Sequence, residues 1–90
     1  MNKGELIESV SGSSGLSRAD AAKAVNAVLS SITRTLSDGG NVALVGFGTF
    51  KVKARAARMG RNPRTGAALH IQASNVPGFK AGKALKDAVN

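Results

Sequence analysis

Apolar residues recur at spacings of three and four along the first third of the chain. Leu6, Ile7 and Val10 make a short stripe, and Ala21, Val25, Val28, Leu29, Ile32 and Leu36 make a longer one. A period near 3.6 predicts two amphipathic helices. Asn2 precedes Glu5 at the spacing of a capping box, and Ser17 stands in the same relation to Asp20. Gly12 and Gly15 are expected to interrupt the first helix, and Gly39-Gly40 to end the second. The pair reads as a helical hairpin whose apolar stripe needs a cover, and a sheet is the one large element left to supply it.

From Val42 the period falls to two. Val42 and Leu44 alternate with small residues, and after a Gly46-Phe47-Gly48 turn Phe50, Val52 and Ala54 alternate with Lys51, Lys53 and Arg55. One face of that strand is apolar and the other cationic. Leu69, Ile71 and Ala73 then alternate with His70, Gln72 and Ser74, which predicts a third strand returning antiparallel to the second. If residues 53–76 form the legs of this hairpin, each leg has roughly ten residues and reaches about 30 Å. A small body cannot cover that length, so the hairpin should project as an arm, with Asn62-Pro63-Arg64-Thr65-Gly66 as its turn. Pro77-Gly78 is expected to break the strand, and Lys83 to Val89 to form a short helix. The fold class is therefore α+β in a single domain, residues 1–90. A helical base (1–38) is followed by a three-stranded antiparallel sheet with its protruding arm (41–76) and a terminal helix (83–90).

Ninety residues bury only about 60% of the unfolded surface, so the core is thin. Cysteine is absent, and the aromatic residues are Phe47, Phe50 and Phe79 alone. Neither a disulfide nor a thiolate metal site can reinforce such a core, which leaves oligomerisation. No apolar run approaches the roughly 20 residues of a membrane span, and Met1 to Glu5 opens without a signal-type apolar stretch, so a cytoplasmic protein is expected.

Charge changes the picture most. The net charge is +8, yet in residues 1–38 Lys3, Arg18, Lys23 and Arg34 balance Glu5, Glu8, Asp20 and Asp38. The whole excess lies in the second half, where no acid occurs between Asp38 and Asp87. Solubility does not demand that exclusion, whereas a polyanionic partner does, and nucleic acid leads the candidates. Lys51, Lys53, Arg55, Arg58, Arg61 and Arg64 follow at intervals of two or three along the arm. Such a ladder can track phosphates, giving steep salt dependence and weak sequence specificity. Arginine dominates toward the tip, and guanidinium groups suit a narrow, electronegative minor groove. Pro63 shapes the turn, or wedges as a rigid ring between base pairs and kinks the duplex; the two roles are compatible.

A nuclease would also need a basic groove. With one histidine, no cysteine and the acids apart from Asp87 confined to the neutral half, neither a carboxylate set for a metal nor an activated nucleophile is visible. Gly46-Phe47-Gly48 imitates a phosphate loop weakly, since it joins strands. The chain therefore reads as a non-enzyme without cofactor or metal. An RNA-binding module that reads single strands would offer exposed aromatic platforms, which the arm lacks, although shape recognition of duplex RNA stays open.

Several segments resemble the signature of the HU and integration host factor family. They are Val45-Gly46-Phe47-Gly48-Thr49-Phe50, Arg55-Ala56-Ala57-Arg58, Gly60-Arg61-Asn62-Pro63 with Thr65-Gly66, and Phe79-Lys80-Ala81-Gly82-Lys83-Ala84-Leu85. The likeness extends over essentially the whole chain and is closer to the HU pattern. This family is itself a standing instance of minor-groove architectural binding, so the mechanism is carried over from it. The resemblance implies an intertwined dimer, of one chain or of two paralogues, that bends and compacts double-stranded DNA in the nucleoid without regard to sequence. Site-preferring bending in the manner of integration host factor is the alternative. It implies arm contacts by Arg55, Arg58, Arg61, Asn62, Pro63 and Arg64, and phosphate contacts by Lys3, Lys53, Lys80, Lys83 and Lys86. Phe47, Phe50 and Phe79 resemble the family's aromatic core at the dimer interface. Ala54, Ala67, Ala68, Met59 and His70 depart from the pattern. Met59 reads as a surface hydrophobe on the arm, and His70, with no second ligand beside it, as a poor metal ligand.

Overall fold

In a computed structural model describing residues 1–90, the first helix, α1 (Lys3–Ser14), starts where its capping pair stands. The Glu5 backbone N–H donates to Asn2 Oδ1 at 2.9 Å, and the Asn2 N–H donates to Glu5 Oε1 at 3.2 Å. Gly12 does not interrupt this helix. A mid-helix glycine costs only about 1 kcal/mol, and the helix continues to a proper cap at Gly15, whose φ of 78° is left-handed and whose N–H returns to Ser11 O at 3.1 Å. The second helix, α2 (Arg18–Ser37), begins behind Ser17, whose Oγ accepts from the Asp20 N–H at 3.1 Å. Arg18 reaches back to Glu8 at 3.1 Å, an exposed pair that holds the hairpin only weakly.

Three strands form the sheet, in the order β1 (Val42–Leu44), β2 (Gly48–Arg55) and β5 (Ser74–Ala81), all antiparallel. The expected third strand thus divides. Leu69 to Ile71 belongs to a short strand β4 (Ala68–Ile71), paired with β3 (Arg58–Arg61), while the sheet itself is closed by the later segment. Pro77-Gly78 does not break that segment; Pro77 pairs with Val52 and Gly78 with Lys51. The reason lies in position: β5 is an edge strand, half of whose N–H groups face away from the ladder, and an edge tolerates proline there.

One register governs the entire hairpin. Arg55 pairs with Ser74 and Arg58 with Ile71, three residues on along both legs, so β3 and β4 prolong β2 and β5 without a bulge across the unpaired stretch between them. The arm therefore extends the sheet outward. The molecule measures 56 × 29 × 29 Å with a radius of gyration of 18.4 Å, against about 12 Å for a compact chain of this length.

The core is correspondingly small. Ala21, Val25 and Gly48 are the buried residues. Gly48 is there because a Cβ would stand 2.6 Å from Lys80 O and against the Phe79 ring. Phe79 lies between Phe50 and Phe47, with ring centroids 4.8 and 5.5 Å away and the rings tilted by 47° and 50°, at separations typical of aromatic pairs. Along the α2 stripe Ala21 and Val25 are buried, whereas Val28 and Leu29 stay exposed, along with Leu44, Phe47, Phe79 and a fully exposed Val45. The accessible surface of 6982 Å² exceeds the roughly 4,900 Å² usual for a monomer of this mass. The last helix, α3 (Lys83–Val89), follows Gly82, whose N–H donates to Phe47 O at 2.8 Å and so ties the helix to the β1–β2 turn.

Candidate nucleic-acid interface

Strand alternation sorts the cations before any contact is considered. Lys51, Lys53 and Arg55 project from one face of β2, while Phe50, Val52 and Ala54 project from the other. Lys80 of β5 sits opposite Thr49 and so joins the cationic face. The residues opposite Lys51, Lys53 and Arg55 are Gly78, Val76 and Ser74, none of them charged. Within the chain only Arg18 and Lys83 have carboxylate partners, so the cations of the sheet and arm have no internal counterion. Lys51, which the cationic ladder included and the contacts implied by the resemblance did not, shares this face with Lys53 and Arg55.

Because the register is unbroken, the alternation runs on into the arm. Met59 and Arg61 continue the face of Lys51, Lys53 and Arg55, with His70 and Ala68 as their cross-strand partners. Arg58 lies on the opposite face with Gly60, Leu69 and Ile71. Gly60 has a packing reason: a Cβ there would stand 2.9 Å from Ile71 Cδ1, so the bare glycine lets Ile71 lie across the arm. Arg58 and Arg61 are thus presented on two sides of one narrow ribbon.

The tip is organised by Asn62. Its backbone N–H donates to Ala67 O at 2.8 Å, its carbonyl accepts from the Gly66 N–H at 2.8 Å, and its Oδ1 accepts from the Arg64 N–H at 2.8 Å. The last bond closes an Asx turn around Pro63, which is exposed at the end of the arm together with Arg64. The side-chain oxygen of Asn62 is therefore engaged within the chain, and only its amide group remains to donate outward. Where pairing lapses at the arm's root, Lys53, Ala54, Arg55, Arg58, Val76 and Pro77 are among the residues lining an open groove of about 570 Å³.

The remaining lysines are dispersed. Lys83 and Lys86 stand on α3, where Lys83 Nζ is 3.9 Å from Asp87 Oδ2, one turn on. Lys3 lies apart from the sheet face, with Asn26, Ser30, Thr33 and Arg34 around an open groove of about 420 Å³ beside α2. Arg34 was not expected there; nothing in the linear pattern relates it to Lys3. His, Asp and Glu side chains nowhere gather in a group of three that could hold a metal ion, and no helix is long and apolar enough to cross a membrane.

The whole chain, residues 1–90, matches the protein family described as bacterial DNA-binding protein. It is 57% identical over 90 residues to DNA-binding protein HU-beta of Salmonella typhimurium, covering 100% of both chains. To DNA-binding protein HU of Geobacillus stearothermophilus it is 62% identical over 89 residues, 99% of each chain. Among solved structures, the Anabaena HU–DNA cocrystal structure superposes with a TM-score of 0.91 at 42% identity, over 99% of this chain and 97% of that one. HU from Thermotoga maritima superposes with a TM-score of 0.72 at 34% identity, over the full length of both.

Proposed function

Since this chain belongs to the bacterial DNA-binding protein family, we propose that it is a sequence-nonspecific architectural protein that binds, bends and compacts double-stranded DNA. The observation that carries this reading is the cationic face that runs from the sheet into the arm with no acid on it. A surface of that kind is costly for a protein standing alone and is satisfied by a row of phosphates.

The working unit is an intertwined dimer in the bacterial nucleoid. The half-covered apolar surface of Val28, Leu29, Leu44, Val45, Phe47 and Phe79 supports it, because a second copy would remove from water what this protomer leaves exposed. The sheet faces of the two protomers then form one concave cationic surface for the duplex, flanked by two arms. Lys51, Lys53 and Lys80 meet phosphates from the sheet, and Lys3, Lys83 and Lys86 meet them along the flanks, where each contact releases counterions.

The arms enter the minor groove. Arg58 and Arg61, on opposite sides of the ribbon, reach the phosphate walls on either side of that groove, and Arg55 and Arg64 do the same at root and tip. Pro63, held out by the Asn62 turn, wedges into a base step; a few kcal/mol of lost stacking is offset by the protein surface that the bend brings into contact. Asn62 acts by holding this turn and by donating through its remaining amide group.

A titration onto end-labelled duplexes of unrelated sequence, followed by energy transfer at two salt concentrations, tests the reading directly. Similar affinities that fall with salt while the duplex ends approach are expected. A single strongly preferred sequence would favour site-selective bending, and tighter binding to duplex RNA of equal length would favour an RNA partner.

A further inference from the structure

Met59 and His70 face each other across the β3–β4 pair, and phosphate contact gives neither a task. Both are exposed, and they share their face of the arm with Arg61 and Ala68. The constant register makes this face the outward continuation of Lys51, Lys53 and Arg55, while Ile71 lies across Gly60 on the reverse side. The distal part of the DNA-directed face therefore carries one flat hydrogen-bonding ring, one guanidinium and one thioether. Ala68, opposite Arg61, is small enough to leave room beside them.

We propose that His70, diagonal to Arg61 and across from Met59, is a specificity-determining residue that gives this protein a preference for A·T-rich minor grooves. The proposal rests on the arm occupying the minor groove. There, A·T pairs present only the acceptors N3 of adenine and O2 of thymine, whereas a G·C pair adds the guanine 2-amino donor. An imidazole always keeps at least one N–H, so it can donate to the A·T floor, whereas over a G·C pair the projecting guanine 2-amino group keeps the ring away from the acceptors of the floor. Runs of A·T also narrow the groove and deepen its negative potential, which favours inserted Arg and His side chains. The spacing suits the task. Diagonal cross-strand neighbours lie about 7 to 8 Å apart, close to two base-pair steps of about 3.4 Å each, so Arg61 can hold a phosphate of the groove wall while His70 meets the floor about two pairs away. Met59 keeps water from the same stretch, which strengthens a hydrogen bond made beside it.

The test compares the full-length protein and H70A on three duplexes of equal length built from A·T, G·C and I·C pairs. Inosine lacks the 2-amino group and so gives the I·C duplex an A·T-like minor-groove floor. The wild-type protein is expected to bind A·T and I·C about fivefold more tightly than G·C, the worth of one net hydrogen bond. H70A should lose most of that ratio and keep its affinity for G·C, and H70Q, which retains a donor, should restore part of it. Equal wild-type affinities for all three duplexes would overturn the proposal, and so would a ratio that persists in H70A, because duplex deformability would then be its source. Competition by a minor-groove-binding polyamide separates this failure from that of the underlying reading: binding that ignores the polyamide places the arm outside the groove altogether.

Discussion

Residues 1–38 and the arm differ in what each lacks. The helical half balances its charges, caps both helices with side chains and shows an apolar stripe that is buried only at Ala21 and Val25. The arm has its backbone paired in continuous register and an Asn62-centred tip, yet it carries unpaired cations and little apolar packing beyond Ile71 over Gly60. One region is short of apolar cover and the other of negative charge. In the proposed dimer a second copy of the chain supplies the first deficit and DNA the second, so the same small sequence would encode two surfaces completed by different partners.

Substituting the same residue type in both regions gives the sharpest contrast. Gly48→Ala drives a methyl group into Lys80 O and the Phe79 ring, and backbone cannot yield as a side-chain end can. It should destabilise the folded dimer by about 3 kcal/mol, at the upper end for overpacking, as read from denaturant unfolding. Gly60→Ala meets only the end of Ile71 and should change the same unfolding stability by less than about 1 kcal/mol. Equal losses would show that the arm is as tightly packed as the body, contrary to the division drawn above.

Next in size is the charge of the arm. Replacing Arg58 and Arg61 together by Ala should weaken binding about tenfold or more on every DNA sequence and flatten the salt slope by roughly one unit per lost phosphate contact, without altering thermal unfolding. An unchanged slope would remove these arginines from the phosphate contacts. Pro63→Ala should keep most of the affinity but reduce the bend seen by energy transfer, since the wedge is lost and the charge is not. Asn62→Ala should reproduce part of that loss because the turn presenting Pro63 loosens; full bending by N62A would show that the backbone bonds of the tip suffice. The smallest effect is expected at Glu8→Gln, which removes an exposed ion pair and should shift stability by less than about 0.5 kcal/mol with DNA binding intact. A larger loss would mean that the helical hairpin depends on that link.

Local chemistry made much of this legible in advance. Capping residues announced the starts of α1 and α2, alternation announced β2 and its two faces, and the partition of charge announced where the cations without an internal counterion lie. The misreadings came where a residue's effect depends on its neighbours in space. Pro77 breaks a strand only where its missing N–H would be used, and that depends on β5 being an edge. Gly12 ends a helix only if no better cap follows, and Gly15 follows. The division of the return leg into β4 and β5 was hidden because one alternating pattern serves both.

For the site, the sequence by itself determined which residues carry charge, how they are spaced and where the chain turns, because these depend on side-chain chemistry and on the two-residue repeat of a strand. Only the tertiary structure decided which cations come together: Lys80 joins Lys51 through the β2–β5 register, and Arg34 lines the same groove beside α2 as Lys3. It also decided that the Asn62 oxygen is committed to the tip and that Met59, Arg61 and His70 lie together. Cross-strand register and helix packing relate residues far apart in the chain, and no local period carries that information.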